Sequence, residues 1–100
     1  HEHKTAWSEL WRGGISIAGN ATLNALARSS MYYLLSSASS TNTYPISPGG
    51  LPTNGYWGNA FWDQEIWILP AMLPFYPDIG RAGAQYRLDR ISQAEAYAAA

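Results

Sequence analysis

The chain is 100 residues long, and 47% of its residues are hydrophobic, 14% aromatic and only 13% charged. Soluble domains carry about 25% charged residues, so a chain this poor in charge is expected to hide most of its faces inside a larger body. The six basic and seven acidic residues are scattered singly, with a net charge of −1, so no basic stripe exists to neutralise phosphates and nucleic acid is excluded as a partner.

Membrane and thiol chemistry are also excluded by the composition. The longest apolar stretch, residues 66–76, is interrupted by Pro70 and Pro74, and it is shorter than the roughly 20 residues that a membrane span needs. The chain has no cysteine, which leaves no disulfide framework and is compatible with either redox compartment. No membrane partner is therefore expected, and the compartment stays open.

The first predicted elements are a short helix end and a longer helix. Trp7, Leu10 and Trp11 form an apolar face that predicts a helix end before two glycines. Gly19 then supplies a turn and Asn20 an N-cap candidate. A helix over about residues 22–37 is predicted next, because apolar residues recur there at three- and four-residue spacing: Leu23, Leu26, Ala27, Met31, Leu34 and Leu35.

A long loop is predicted over about residues 38–60, where proline, glycine, serine and asparagine dominate. A structureless loop of this length is uncommon in a compact domain and is often functional. It contains Tyr44, Tyr56 and Trp57, which a disordered linker would lack. We therefore expect an ordered, functional loop.

Two further helices are predicted after the loop. The first covers about residues 62–73, with Pro70 bending or ending it. The second covers about residues 77–98, with Pro77 and Asp78 in its first turn and apolar residues on two faces. No internal repeat is present, so the expected fold class is all-α with one long ordered loop.

The chemistry-bearing stretch runs from the end of the loop into the following helix. Trp62 and Asp63 stand side by side there. The apolar C–H face of a pyranose can lie against an indole, and its hydroxyls can donate to a carboxylate in charge-assisted hydrogen bonds. This pair therefore suits a neutral sugar, and we expect it at the mouth of a pocket.

Several motifs together resemble glycoside hydrolase family 65, and the resemblance spans nearly the whole chain. They are SPGGL at 47–51, YWG at 56–58, FWDQE at 61–65, PDIGR at 77–81 and YR at 86–87. The resemblance implies that the chain is one segment, residues 1–100, of a larger catalytic domain folded as an (α/α)6 toroid. It also implies an inverting hydrolase of an α-glucosidic bond, in α-glucosyl-galactose on hydroxylysine or in trehalose, with no cofactor.

The same resemblance implies which residues bind substrate. The tryptophan-aspartate pair of the family, matched by Trp62 and Asp63, binds the terminal glucose, and its aspartate is essential for activity. The family's general acid is a glutamate far downstream of this pair, so no catalytic residue is expected within this chain. The implied partners are a carbohydrate substrate and the remainder of the enzyme chain.

Four further residues are weaker candidates for substrate binding. Tyr56 and Trp57 could wall the site or fill the core. Asn59 stands where many family members have histidine, and asparagine cannot gain a charge, so no protonated role is expected there. Glu65 points away from Asp63 around a helix, so a tightly paired acid dyad is not expected and a supporting role is favoured.

Two alternatives stay open at this level, and a third, a metal site at the N-terminus, is not favoured. Asp63 could be a helix N-cap as well as a sugar ligand. His1 and His3 flank Glu2, but a frayed terminus is a poor cage, so no metal site is expected. The chain as a whole could instead be a non-catalytic carbohydrate-binding or structural fragment held by a partner chain.

Overall fold

The computed structural model describes residues 1–100 and contains five α-helices and no strand. The helices are α1 (Glu2–Leu10), α2 (Ala21–Ser37), α3 (Leu69–Met72), α4 (Pro77–Leu88) and α5 (Ile91–Ala99). A 3-10 turn, Gly55–Gly58, and a π-helical turn, Gln64–Ile68, lie between α2 and α3. The predicted all-α class is confirmed. None of the helices is both long and apolar enough to cross a lipid bilayer.

Helix α2 begins where the sequence places its cap. The side-chain oxygen of Asn20 accepts a hydrogen bond from the backbone N–H of Leu23 at 3.0 Å, which satisfies one of the donors left free at a helix start. Gly19 precedes it with φ of 79°, a left-handed conformation that glycine adopts without steric cost. The turn and the cap together direct the chain into the helix.

The long loop is held at two points by side chains from the helices on either side of it. The backbone N–H of Leu51 donates to the hydroxyl of Ser37, at the end of α2, at 3.1 Å. The backbone N–H of Ile46 donates to the side-chain oxygen of Gln64 at 2.7 Å. These bonds explain how a segment without regular structure is ordered.

Pro70 does not end its helix. Helical backbone continues from the π-helical turn Gln64–Ile68 directly into α3, and Pro70 lies in the first turn of α3. Proline has no N–H to donate to the preceding turn, and the wider π spacing just before it is where the regular α ladder is interrupted. The predicted interruption therefore takes the form of a change in helix type.

The final helix is two helices, which corrects the prediction of one helix over residues 77–98. Helix α4 ends at Leu88 and α5 begins at Ile91. The guanidinium of Arg90 lies over the ring of Tyr86 at 3.9 Å and donates to the Tyr86 carbonyl at 3.1 Å. The backbone N–H of Arg90 instead bonds to the carbonyl of Arg87 at 3.1 Å. Because a side chain takes the place of a backbone donor, the α ladder stops at this point.

The core lies where α2, the loop, α3 and α4 meet. Its buried apolar residues are Met31, Leu35, Ile46, Ile68, Leu69, Met72 and Ile79. Helix α4 approaches α3 through Gly80 and Gly83: a Cβ on Gly83 would lie 2.7 Å from Leu69, and one on Gly80 would collide with Leu73. The two glycines therefore allow the close contact on which this core depends.

Much of the apolar surface has no cover within the chain. Only 11 of 100 residues are buried, and seventeen large apolar residues are exposed. The radius of gyration is 15.5 Å, compared with about 13 Å for a compact domain of this length. Helices α1 and α5 contribute no buried residue. The composition anticipated this, because a chain so poor in charge cannot cover all its faces with polar groups.

Candidate functional site

Trp62 and Asp63 are the two central residues of a turn that leads into the π-helical segment. The backbone N–H of Gln64 closes this turn by donating to the carbonyl of Phe61 at 3.2 Å, and the N–H of Glu65 donates to the carbonyl of Trp62 at 3.2 Å. Asp63 already has helical angles, φ −56° and ψ −33°. π-Helical turns are rare and frequently mark functional sites.

The side chains of this pair are available to a ligand. The Trp62 side chain is exposed, and its ring centroid lies 6.4 Å from that of Trp67. Asp63 is half-buried, and its carboxylate accepts no bond from the amides of the helix start. Asp63 therefore occupies the N-cap position without capping. The pair presents an exposed indole and, at the next residue, a carboxylate that has no hydrogen-bond partner in this chain.

The preceding 3-10 turn places two aromatic residues in a strained backbone conformation. Tyr56 has φ of 64° and Trp57 φ of 53°, the left-handed region, which costs a bulky residue of the order of 1–3 kcal/mol. The ring of Tyr56 packs edge-on against Phe61 at 5.1 Å, and the side-chain amide of Asn59 donates to the Tyr56 carbonyl at 3.1 Å. Trp57 is 88% exposed. Tyr56 and Asn59 are thus tied to the turn that carries the tryptophan-aspartate pair, and Trp57 extends outward.

Glu65 is already engaged by partners within the chain. Its two carboxylate oxygens accept from the Arg87 guanidinium, Oε1 from Nε at 2.7 Å and Oε2 from an Nη at 2.9 Å. The side-chain amide of Gln64 also donates to Oε1 at 2.8 Å. The hydrogen bond from Arg87 is the main cause that lowers the pKa of Glu65 below its usual 4.5. The structure places Glu65 in an ion pair with Arg87 directly after the Trp62–Asp63 pair, and its supporting role stays a prediction.

Two residues in this arrangement were missed by the sequence reasoning. Gln64 is fully buried, yet it stands between polar and aromatic neighbours that give no sign of burial. Arg87 was noted only as part of the YR motif, and it reaches Glu65 across 22 positions of sequence. No local pattern selects it from the other basic side chains; only the packing of α4 against α3 reveals the pairing.

The tryptophan-aspartate pair lies on an open face of this chain. Four cavities of about 320 to 450 Å³ open on its surface, and none of these four is lined by Trp62 or Asp63. One of them, of about 420 Å³ and lined mostly by polar residues, lies between residues 40–43 and α4. The expected pocket at the tryptophan-aspartate pair stays a prediction for a domain in which further chain encloses this face.

Comparison with known proteins agrees with this combination of an all-α chain and a tryptophan-aspartate turn. Residues 28–100 match the glycosyl hydrolase family 65 central catalytic domain. Over 89% of its length the chain is 40% identical to the protein-glucosylgalactosylhydroxylysine glucosidase of Dictyostelium discoideum, and over 93% it is 37% identical to the kojibiose hydrolase of Mucilaginibacter mallensis. It is 38% identical over 85% of its length to the periplasmic/secreted acid trehalase of Candida glabrata.

The chain belongs to glycoside hydrolase family 65, which confirms the resemblance drawn from its motifs. It spans 13% of the length of the Dictyostelium enzyme, 14% of the Mucilaginibacter enzyme and 8% of the Candida enzyme. No solved structure is a significant match to it. The relatives share glycoside hydrolysis, whereas each covers far more chain than the residues described above.

Proposed function

We propose that this chain is a segment of an inverting glycoside hydrolase that cleaves an α-glucosidic bond, and that it supplies the strip that binds the terminal glucose. The observation that carries the proposal is an exposed Trp62 indole followed in the chain by an Asp63 carboxylate that has no hydrogen-bond partner within the chain. An exposed indole and a free, half-buried carboxylate serve no purpose in stabilising the segment itself. They are the groups that a pyranose ring requires.

The roles of the neighbouring residues follow from their contacts. Trp62 would stack on the apolar face of the glucose, and Asp63 would accept hydrogen bonds from its hydroxyls. Tyr56, Trp57 and Asn59 would form the rim, because their turn contacts Phe61. Glu65 would not touch the sugar, since both of its oxygens are taken by Arg87.

The substrate class is proposed from the relatives. Their names specify glucosylgalactosylhydroxylysine, kojibiose and trehalose, each of which presents a glucosyl unit. Inversion needs one carboxylic acid to protonate the leaving oxygen and a second carboxylate to activate water on the opposite face of the sugar. We assign neither group to this chain, and we place both in the remainder of the catalytic domain.

The proposal is tested by Asp63→Asn in the intact enzyme, meaning the longer chain in which we propose that this segment lies. Asparagine keeps the shape of aspartate and replaces one acceptor oxygen with a donor. Loss of a charge-assisted bond costs about 1.5–3 kcal/mol, and more where the contact strengthens in the transition state. Both an α-1,2-linked glucosyl-galactose and trehalose are assayed. On the better of these two substrates, kcat/KM should fall at least about tenfold.

Asp78→Asn is the matched control, because Asp78 is an exposed acid at the start of α4. It should leave kcat/KM unchanged, and circular dichroism should show both variants folded. Near-normal activity of Asp63→Asn on both substrates would remove Asp63 from the site. Sugar binding by an intact protein without any turnover would favour the alternative of a non-catalytic carbohydrate-binding module.

A further inference from the structure

One guanidinium holds both ends of the turn that carries Trp62 and Asp63. Arg87 donates to the carbonyl of Phe61 at 3.2 Å, just before the pair, and to both carboxylate oxygens of Glu65, just after it. These contacts use the forked geometry of arginine, which a single ammonium cannot reproduce. The turn is therefore fixed to the last part of α4 at two points, Phe61 and Glu65, which lie four residues apart along the chain.

The other side of the turn is fixed by Gln64. Its buried side chain accepts from the backbone N–H of Ile46 at 2.7 Å and donates to Glu65 at 2.8 Å. A continuous set of hydrogen bonds thus runs from the long loop, through Gln64 and Glu65, to Arg87 on α4. The buried part of this set, the bond between Gln64 and Ile46, has both of its partners satisfied and therefore makes the local structure rigid.

The side chains of Trp62 and Asp63 make no hydrogen bond of their own within the chain that would fix their direction. Asp63 has no capping bond, and Trp62 has only the tilted contact with the exposed ring of Trp67. Their orientation follows from the backbone of the turn. That turn is closed by its own backbone hydrogen bonds, and the guanidinium of Arg87 joins the residues on both sides of it to α4.

Exposure separates this role from a general role in stability. The side chains of Arg87 and Glu65 are 44% and 37% exposed, so solvent screens the pair, and even with its bidentate geometry it is expected to supply only a small part of the free energy of unfolding. Loss of the Arg87–Glu65 ion pair should therefore change the geometry of the turn more than it lowers the stability of the fold.

We infer that Arg87 is a positioning residue, which acts through Phe61 and Glu65 to hold the Trp62–Asp63 pair in the orientation that binds glucose. The inference rests on the proposed function. It adds a specific dependence: substrate binding at one end of the π-helical turn is set by a basic residue on α4, 22 positions downstream of Glu65.

The test compares Arg87→Lys in two backgrounds of the intact enzyme, the natural sequence and Asp63→Asn. Lysine keeps the charge and loses the fork. In the natural background kcat/KM should fall between about tenfold and a hundredfold, the scale of a small misplacement of a binding group. The inhibition constant of free glucose should rise in parallel. Arg81→Lys, an exposed arginine on the same helix without a hydrogen-bond partner, is the control and should change neither.

The two backgrounds distinguish positioning from a structural role. If Arg87 acts through the pair, Arg87→Lys should lower kcat/KM by less than about threefold when Asp63 is already asparagine, because residues coupled through a shared backbone shift show non-additive effects. An equal fall in both backgrounds, or no fall in the natural one, would overturn the inference while leaving the proposed function in place. Normal activity of Asp63→Asn alone would overturn both.

A second variant covers the case in which Arg87→Lys fails to fold. Glu65→Gln keeps one acceptor for Gln64 and Arg87 and removes the charge that supports the fork. It should reproduce the same pattern across the two backgrounds. If it too fails to fold, or if its effect is additive with Asp63→Asn, the arginine-glutamate pair is a structural element and the inference is wrong.

Discussion

At the scale of single residues, Gln64 shows how a buried polar side chain orders a loop. It is fully buried, with both ends of its amide bonded, to the backbone N–H of Ile46 and to Glu65. Burying an amide is costly unless its partners are present, so the bonded Gln64 requires residues around Ile46 to lie against the π-helical turn. The residue thus connects the loop to the candidate site.

We predict that Gln64→Met destabilises the intact protein by about 1–3 kcal/mol, because it leaves the N–H of Ile46 buried without an acceptor. Methionine is similar in length and apolar, so the loss reflects the missing hydrogen bond more than a cavity. The measurement is the free energy of unfolding in urea. Gln93→Met, at an exposed position of α5, should cost less than about 0.5 kcal/mol. An equal loss of stability at the two positions would show that the hydrogen bonds of the Gln64 amide do not stabilise the protein specifically.

At the scale of elements, the close contact between α3 and α4 depends on glycine, which has no side chain to separate the two helices. A Cβ on Gly83 would lie 2.7 and 2.9 Å from the two methyl groups of Leu69, which is buried in the core. Gly83 is also buried, so a larger residue has no empty space to enter. The close approach brings the end of α4 to where Arg87 reaches Glu65, and packing here therefore supports the site.

We predict that Gly83→Val lowers the stability of the intact protein by about 1–3 kcal/mol, the usual cost of overpacking a core. Ala84→Val is the control on the same helix, because Ala84 is exposed. Intrinsic helix propensity favours valine over glycine and disfavours it relative to alanine, so propensity alone would rank the two variants in the opposite order. A melting temperature that falls more for Ala84→Val would contradict the packing explanation.

At the scale of the whole molecule, the chain exposes more large apolar residues than it buries. Seven apolar residues form the buried core, whereas seventeen large ones are exposed, among them Trp57, Trp62 and Trp67. Such a surplus of exposed large apolar residues is expected of a segment that packs against further chain. The proposal that further helices of a toroid cover these faces accounts for both the exposure and the low charge of the chain.

We predict that the isolated 100-residue chain hydrolyses no α-glucoside, because the carboxylates that inversion needs are assigned to the remainder of the domain. Its uncovered faces should bind a hydrophobic dye and should make the chain self-associate in size-exclusion chromatography. The intact enzyme, assayed on the same glucosides, is the positive control. Measurable turnover by the isolated chain would show that a catalytic acid lies within these residues.

The sequence predicted helix α2 correctly but did not predict the break after α4. The cap at Asn20 and the stripe through Met31 and Leu35 act between residues three or four positions apart, so the pattern carries the structure by itself. The break between α4 and α5 depends on the side chain of Arg90 taking the Tyr86 carbonyl. That competition has no strong local signature, and a continuous helix was therefore expected.

The sequence by itself determined the all-α class, the turn chemistry of the loop and the side-by-side placement of Trp62 and Asp63, because each depends on neighbours along the chain. Only the tertiary structure decided that Glu65 is paired with Arg87 and that Gln64 holds Ile46. Those contacts join residues 22 and 18 positions apart. At such separations the packing of helices, including the contact between Gly83 and Leu69, selects which residue becomes the partner. The spacing of residues along the chain does not indicate that partner.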